Sequence, residues 1–303
     1  MKKKRKNLSL TVGLTTCYGD PSILETIRSI RASKNVGEFP IILIADRVPL
    51  TSYIKKELRK YRVTFIENKS KGSQIKKQKQ IIPLVKTDLF ILTQDDVLLD
   101  KDSLGKVVDT FQKNEKTTMV SILNAPLPPQ THFEAVIGIG TDIANLQAKY
   151  WNSGDNFLSV IGRFMAFRTD TYKKFRLIES VATSDTYYYL ENKRVGGMYK
   201  YVPEVAVNYV NPRNMKEHMR KSSRFQFSSD EMSKYFTGVA SIYDVPRLVI
   251  LRSLLENFVS KPLLTLEYLG VFAYTRLHKM KKSAVLNPIW EVDASTKVFT
   301  HTS

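Results

Sequence analysis

Leu89-Phe90-Ile91-Leu92-Thr93-Gln94-Asp95-Asp96-Val97 is the stretch that decides the fold. Four consecutive apolar residues make a strand buried on both faces, and such a strand belongs to a parallel sheet covered by helices. The strand ends in two adjacent carboxylates. Working outward, Leu8–Thr16 is β-rich and closes in a Tyr18-Gly19-Asp20-Pro21 turn. Asp20 as N-cap and Pro21 at the first helical position then open a helix with Ile23, Ile27 and Ile30 on one face. Pro40–Ala45 is a second buried strand stopping at Asp46, residues 51–61 are helical, and Val63–Ile66 is a third strand. Residues 73–85 form a lysine-rich helix broken at Pro83, and Leu89–Thr93 is the fourth strand. Four strands alternating with three helices predict an α/β, doubly wound, mostly parallel sheet. Ligands of such sheets bind at the carboxyl ends of the strands, where Asp46 and Gln94-Asp95-Asp96 fall.

After residue 120 the alternation is lost. Pro126, Pro128 and Pro129 mark an irregular crossing, and Gly138, Gly140, Gly154 and Gly162 are expected to punctuate short strands, Phe164–Arg168 among them. A helix is expected at Ser184–Lys193, a strand at Tyr199–Val202, further helices from Met215, and a loosely held tail over 285–303.

With 43% hydrophobic and 25% charged residues, the 303-residue chain is neither collagen-like, disordered nor a disulfide scaffold. The single cysteine, Cys17, excludes a Cys-rich zinc module. The net charge of +18 asks for a polyanionic partner: nucleic acid, an anionic membrane, or a phosphate-bearing substrate. Its distribution narrows the choice. Residues 55–79 and 193–303 carry +8 each while residues 80–192 carry −3, and an acidic centre disfavours a nucleic-acid binder. Met1–Lys6 begins like a signal peptide, but no apolar run follows, which predicts a cytosolic basic tail. No segment is apolar enough to span a bilayer. Pro262–Thr275, bracketed by Lys261 and Arg276, has the pattern of an interfacial membrane helix, or equally of a helix packed on the core.

Two carboxylates side by side at a strand end repel each other, and a divalent cation relieves that repulsion. With oxygen ligands and no nearby His or Cys, Mg²⁺ or Mn²⁺ suits Asp95 and Asp96 better than zinc; a solvated turn capping a helix is the alternative. Gly72 after Lys71, at a strand-to-helix junction, lets backbone N–H groups approach a phosphate, with Lys71 as its complement.

The order of these features resembles the inverting family-2 glycosyltransferases of the GT-A fold, over residues 8–230. The resemblance rests on the Thr-Cys-Tyr-Gly-Asp turn at 16–20, Asp46, the Asn68–Gln80 stretch, and Gln94-Asp95-Asp96-Val97 in place of the family's Asp-x-Asp. It continues through Ser184-Asp185 and Tyr199–Pro203 to Lys221-Ser222-Ser223-Arg224-Phe225, in place of Gln-x-x-Arg-Trp. It implies a GT-A domain over 8–230, divided into a nucleotide-binding half (8–120) and an acceptor half (121–230), then an amphipathic helical region (231–284) and a tail. Thr16, Tyr18, Asp46, Lys71 and Asp95 would meet the nucleotide sugar, a UDP-linked one, and Asp96 would hold Mn²⁺ or Mg²⁺ on the diphosphate. Asp185 would be the general base, with Arg224 and Lys221 stabilising the leaving charge. Trp151, Asp155 and Arg163 are the candidate acceptor contacts. The implied partners are a nucleotide-sugar donor, a glycan or lipid-linked acceptor of polysaccharide biosynthesis, and an anionic surface at the inner face of the cell membrane. A nucleotidyltransferase of similar sheet architecture and a non-enzymatic binding module on a degenerate transferase scaffold are the rival readings.

Overall fold

The computed structural model describes residues 7–278, 280–289, 294–297 and 299. The predicted Met1–Lys6 tail lies outside the described residues. In chain order, β1 (Leu10–Thr16), α1 (Ser22–Arg31), β2 (Ile41–Ala45), α2 (Ser52–Lys60), β3 (Val63–Glu67), α3 (Gln74–Ile81) and β4 (Leu89–Gln94) form the alternating half. The second half consists of β5 (Val97–Leu99), α4 (Ser103–Lys113), β6 (Thr117–Pro126), α5 (His132–Tyr150), β7 (Phe164–Arg168), α6 (Thr169–Tyr172), α7 (Ser184–Arg194) and β8 (Met198–Tyr209). Helices α8 (Met215–Met232), α9 (Arg247–Ser260) and α10 (Pro262–Leu277) follow.

All eight strands join one sheet in the order β3-β2-β1-β4-β7-β6-β8-β5. The pairs β1–β2, β1–β4, β2–β3 and β6–β8 are parallel, whereas β7 runs antiparallel to both β4 and β6. On one face Val12, Leu14, Leu43 and Ile91 pack with Ile23, Ile27 and Ile30 of α1, Leu58 of α2 and Phe111 of α4. On the other, Ile44, Phe90 and Leu92 pack with Ile75 and Ile81 of α3 and Tyr187 and Tyr188 of α7. Alternate residues of each strand point to opposite faces, and the central strands β1, β2, β4 and β7 are buried on both. The parallel register sets Thr16 beside Ala45 and Thr15 beside Gln94, bringing the carboxyl ends of β1, β2 and β4 to one edge.

Two expectations need correction. The glycines at 138 and 140 do not punctuate strands; they lie inside α5, a 19-residue helix opened by a Thr131–Glu134 capping box. Gly140 is there because α10 crosses it closely: a Cβ at this position would stand 2.5 Å from the Tyr268 ring. The 285–303 tail is also not loose throughout. Ala294–Lys297 is a 3-10 turn whose Ser295 hydroxyl binds the Glu217 carboxylate and accepts the Arg213 N–H at 3.2 Å.

Helices α9 and α10 pack on α5 with their polarity inverted. Ser253 and Thr265 are 0% and 1% exposed, while Leu248 and Leu263 are 80% and 74% exposed. Leu251, Leu255, Val259, Leu266, Phe272 and Leu277 are exposed as well. Among the described residues, no helix is long and apolar enough to cross a membrane.

Candidate active site

A cleft opens at the shared carboxyl edge of the strands. At its floor the Thr16 hydroxyl, closing β1, donates to Asp95 Oδ2 at the end of β4. Asp46, closing β2, is buried and faces inward: its Oδ2 accepts the Gly72 N–H at 2.8 Å and its Oδ1 the Lys77 ammonium at 3.0 Å. Lys77 also lies 3.0 Å from Cys17 Sγ, which itself lines the cleft. Burial raises the Cys17 thiol pKa, with Lys77 pulling in the other direction.

Asp95 is 6% exposed and shares the Lys297 ammonium with Asp96: Nζ bonds closely to Asp95 Oδ1 and lies 3.6 Å from Asp96 Oδ2. Burial works against the lysine's charge, yet the Asp95 and Asp96 charges carry its pKa above the usual lysine value. Burial likewise pushes the Asp96 carboxyl upward, offset by Lys297 and reinforced by Asp95. A cation therefore already rests on the pair. Among the described residues no group of three or more His, Cys, Asp or Glu side chains is placed to hold a metal. Two carboxylates suit Mg²⁺ or Mn²⁺ when substrate phosphate oxygens and water complete the coordination, so the residues fit that kind of site and not an all-protein cage.

Across the cleft, Asp185 sits in the first turn of α7, where the helix dipole favours negative charge. Its Oδ1 accepts the Thr186 N–H at 2.9 Å, and the Gly162 backbone approaches from β7's leading turn. A Cβ on Gly162 would stand 3.7 Å from Asp185 Oδ2 and 3.6 Å from the Gln94 amide. Loss of solvent raises the Asp185 pKa; the Thr186 and Gly162 backbone and the Arg224 charge oppose the rise. The segment ahead of α7 is held from α8, where buried Glu231 accepts the N–H groups of Ala182 at 2.7 Å and Thr183 at 2.9 Å. Arg163 and Lys221, which line the cleft, both lie over the buried Tyr209 ring, 3.6 Å and 4.9 Å from its centre.

Of the expected site residues, Asp95, Asp96, Arg163, Asp185, Lys221 and Arg224 line this one cleft, with Thr16 bonded beneath it. The others lie elsewhere. Tyr18 is exposed beside Arg47, outside the lining, and Lys71 is exposed as well. Asp46 is turned onto Gly72 and Lys77. Trp151 packs edge-on against Phe157, and Asp155 binds Tyr189 at 2.9 Å and Lys193 at 2.6 Å, so neither reaches the cleft. Arg47, Gln74, Lys77 and Lys297 line it without having been anticipated. Lys77 carried a usable signal, since it lies four residues before the core residue Ile81 on a helix. Lys297 carried none.

A doubly wound sheet with an acidic turn at its carboxyl edge, and a separate carboxylate facing that turn, is the layout of a GT-A glycosyltransferase. The sequence model of the family described as "Glycosyltransferase like family 2" matches residues 10–228, and the chain belongs to that family. Among solved structures, the mannosyltransferase PcManGT from Pyrobaculum calidifontis, in complex with GDP-mannose and Mn²⁺, is similar with a TM-score of 0.58 and 12% identity. That match covers 93% of this chain and 79% of the other. Residues 1–349 of S. aureus TarS, in complex with UDP, are similar with a TM-score of 0.52 and 12% identity, covering 83% and 72%. No curated protein sequence matches. The nucleotidyltransferase and non-enzymatic alternatives give way to a glycosyltransferase with the GT-A fold.

Proposed function

We propose that the protein transfers a sugar from a nucleotide-sugar donor, UDP-linked, to a hydroxyl of a glycan or lipid-linked acceptor, inverting the anomeric centre. The observation that carries this reading is the Asp185 carboxylate, of raised pKa, in the same cleft as the Asp95–Asp96 pair. The lining also bears six cationic side chains, Arg47, Lys77, Arg163, Lys221, Arg224 and Lys297, against three carboxylates, an excess that suits a diphosphate. Asp185 takes the acceptor hydroxyl's proton as that oxygen bonds to the anomeric carbon, and the bond from that carbon to the diphosphate oxygen breaks. The displaced nucleoside diphosphate carries away the bonding pair, and Arg224 and Lys221 oppose its growing charge. A single displacement with one base inverts configuration. A divalent ion held by Asp96 with Asp95 would supply Lewis-acid stabilisation of the leaving group.

Thermal stabilisation and slow donor hydrolysis, screened with UDP-, GDP- and dTDP-sugars and Mn²⁺, test this reading. A donor response lost in Asp96→Ala supports it; no response to any donor sinks it.

We infer also that the exposed α9–α10 face rests on an anionic bilayer. Arg247, Lys261, Arg276, Lys281 and Lys282 flank the apolar residues in sequence; Lys261 pairs with Asp142 and Lys282 with Asp230, while Glu256 pairs with Arg252 and Glu267 with His132. Flotation with phosphatidylglycerol vesicles is expected to carry the wild type and not Leu251→Glu/Leu263→Glu. Equal flotation, or a concentration-dependent dimer abolished by the same changes, would overturn the assignment.

A further inference from the structure

Lys297 is 202 residues from Asp95 in sequence and yet occupies the position that a cation on the acidic turn would take. It is 8% exposed and touches both carboxylates. Its placement is built, because the same short turn is tied down by Ser295, whose hydroxyl binds Glu217 and receives the Arg213 N–H. Thr296 and Pro288 join Lys297 in the cleft lining, so this part of the chain stands where donor and metal would enter.

We propose that Lys297 and a divalent cation compete for the Asp95–Asp96 pair, so that the 294–297 turn occupies the cation position in the donor-free cleft and leaves it when metal and donor bind. The inference rests on the reading of that pair as the cation site. An ammonium has three N–H donors and no lone pair, so it cannot ligate a metal; it can only stand in for one. Two cations within ligand distance of the same oxygens repel strongly in a site with little water. The carboxylates therefore take one partner or the other. In the donor-free protein the ammonium offsets their mutual repulsion; with a diphosphate in the cleft, a doubly charged ion compensates more charge at the same place.

Mn²⁺ binding to the donor-free full-length chain, followed by electron paramagnetic resonance of the free ion, separates the possibilities. Lys297→Met, which keeps the apolar stem and removes the charge, is expected to bind Mn²⁺ at least ten-fold more tightly than wild type. Ser295→Ala, which loosens the anchor and keeps the ammonium, should fall between them. Amine-specific acylation read by mass spectrometry should find Lys297 protected in the donor-free protein and reactive once Mn²⁺ and UDP are added together. Equal Mn²⁺ affinity in wild type and Lys297→Met overturns the competition while leaving the donor reading intact. Absence of Mn²⁺ binding in every variant overturns both the competition and the assignment of the pair as a metal site. UDP binding, measured separately by thermal shift, then reports whether the donor reading survives.

Discussion

The Lys77 ammonium lies 3.0 Å from Asp46 Oδ1, and this buried ion pair ties α3 to the carboxyl end of β2. Both residues are 2% exposed. Because Asp46 also receives the Gly72 N–H, one carboxylate fixes both the helix and the turn that leads into it. Lys77→Met leaves that carboxylate with the more distant Arg47, whose Nε is 4.0 Å from Oδ1, and is expected to cost about 3 kcal/mol of stability, the low end for a broken buried pair. Urea unfolding of the variant checks the figure; a loss below about 1 kcal/mol, the range of exposed pairs, would contradict the role given to the pair.

Asp185→Asn should retain donor binding and lower transfer by about 100- to 10,000-fold, the usual contribution of a positioned base. In the wild type, transfer should fall as pH drops through the Asp185 pKa, at a higher pH than for an ordinary carboxylate. Full activity of the Asn variant would remove Asp185 from the chemistry.

The same raised pKa has a signed effect on stability. The folded state holds this proton more tightly than the unfolded chain, so the contribution is present in acid and is lost as pH rises through the folded pKa. Asp185→Asn, neutral throughout, should therefore melt higher than wild type at neutral pH, and the gap should close in acid. Paired melting curves across pH test the sign.

Glu231 positions Asp185 from a distance by holding the Ala182 and Thr183 amides. Glu231→Gln keeps the shape but weakens these bonds, with an expected cost of about 1–3 kcal/mol. The kcat should fall while the donor KM stays near wild type. A change confined to stability would make Glu231 structural only.

Gly140→Ala drives a methyl group into Tyr268, and overpacking of this kind costs about 1–3 kcal/mol. The double variant Gly140→Ala/Tyr268→Ala should recover part of the loss, because the clash is gone. Additive losses in the double-mutant cycle would mean that the two residues do not meet.

The alternating half was legible because β2 and β4 are continuous apolar runs ending at polar turns and β3 is short and β-rich: the predicted β2, β3 and β4 each agree with the structure to within one residue. Asp95, Asp96 and Asp185 each sit at an element boundary, where sequence pattern changes, and the fold brings all three to the lining of one cleft. The region after residue 120 was less legible for a physical reason. In α5 Gly140 makes room for Tyr268 of a neighbouring helix, which is tertiary information that imitates a turn signal. Trp151 and Asp155 are expected as acceptor contacts from their place in the segment ahead of Asp185, but that segment turns them onto Phe157, Tyr189 and Lys193, a matter of tertiary packing. The lysines of 55–79 read as one basic block, yet Lys77 alone among them lines the cleft, a distinction that depends on helix phase. Lys297 reaches the acidic turn through the folded chain, and nothing local to residue 297 announces that contact.

The lone sulfhydryl of this chain has a practical meaning. Cys17 is the single cysteine in 303 residues, and it stands in the lining of the cleft beside Lys77. A fluorophore or spin label introduced through maleimide chemistry would therefore report from the site itself, with no second thiol to mutate away. Its raised pKa makes labelling slow at neutral pH, which turns the rate of modification into a gauge of how far the cleft has opened.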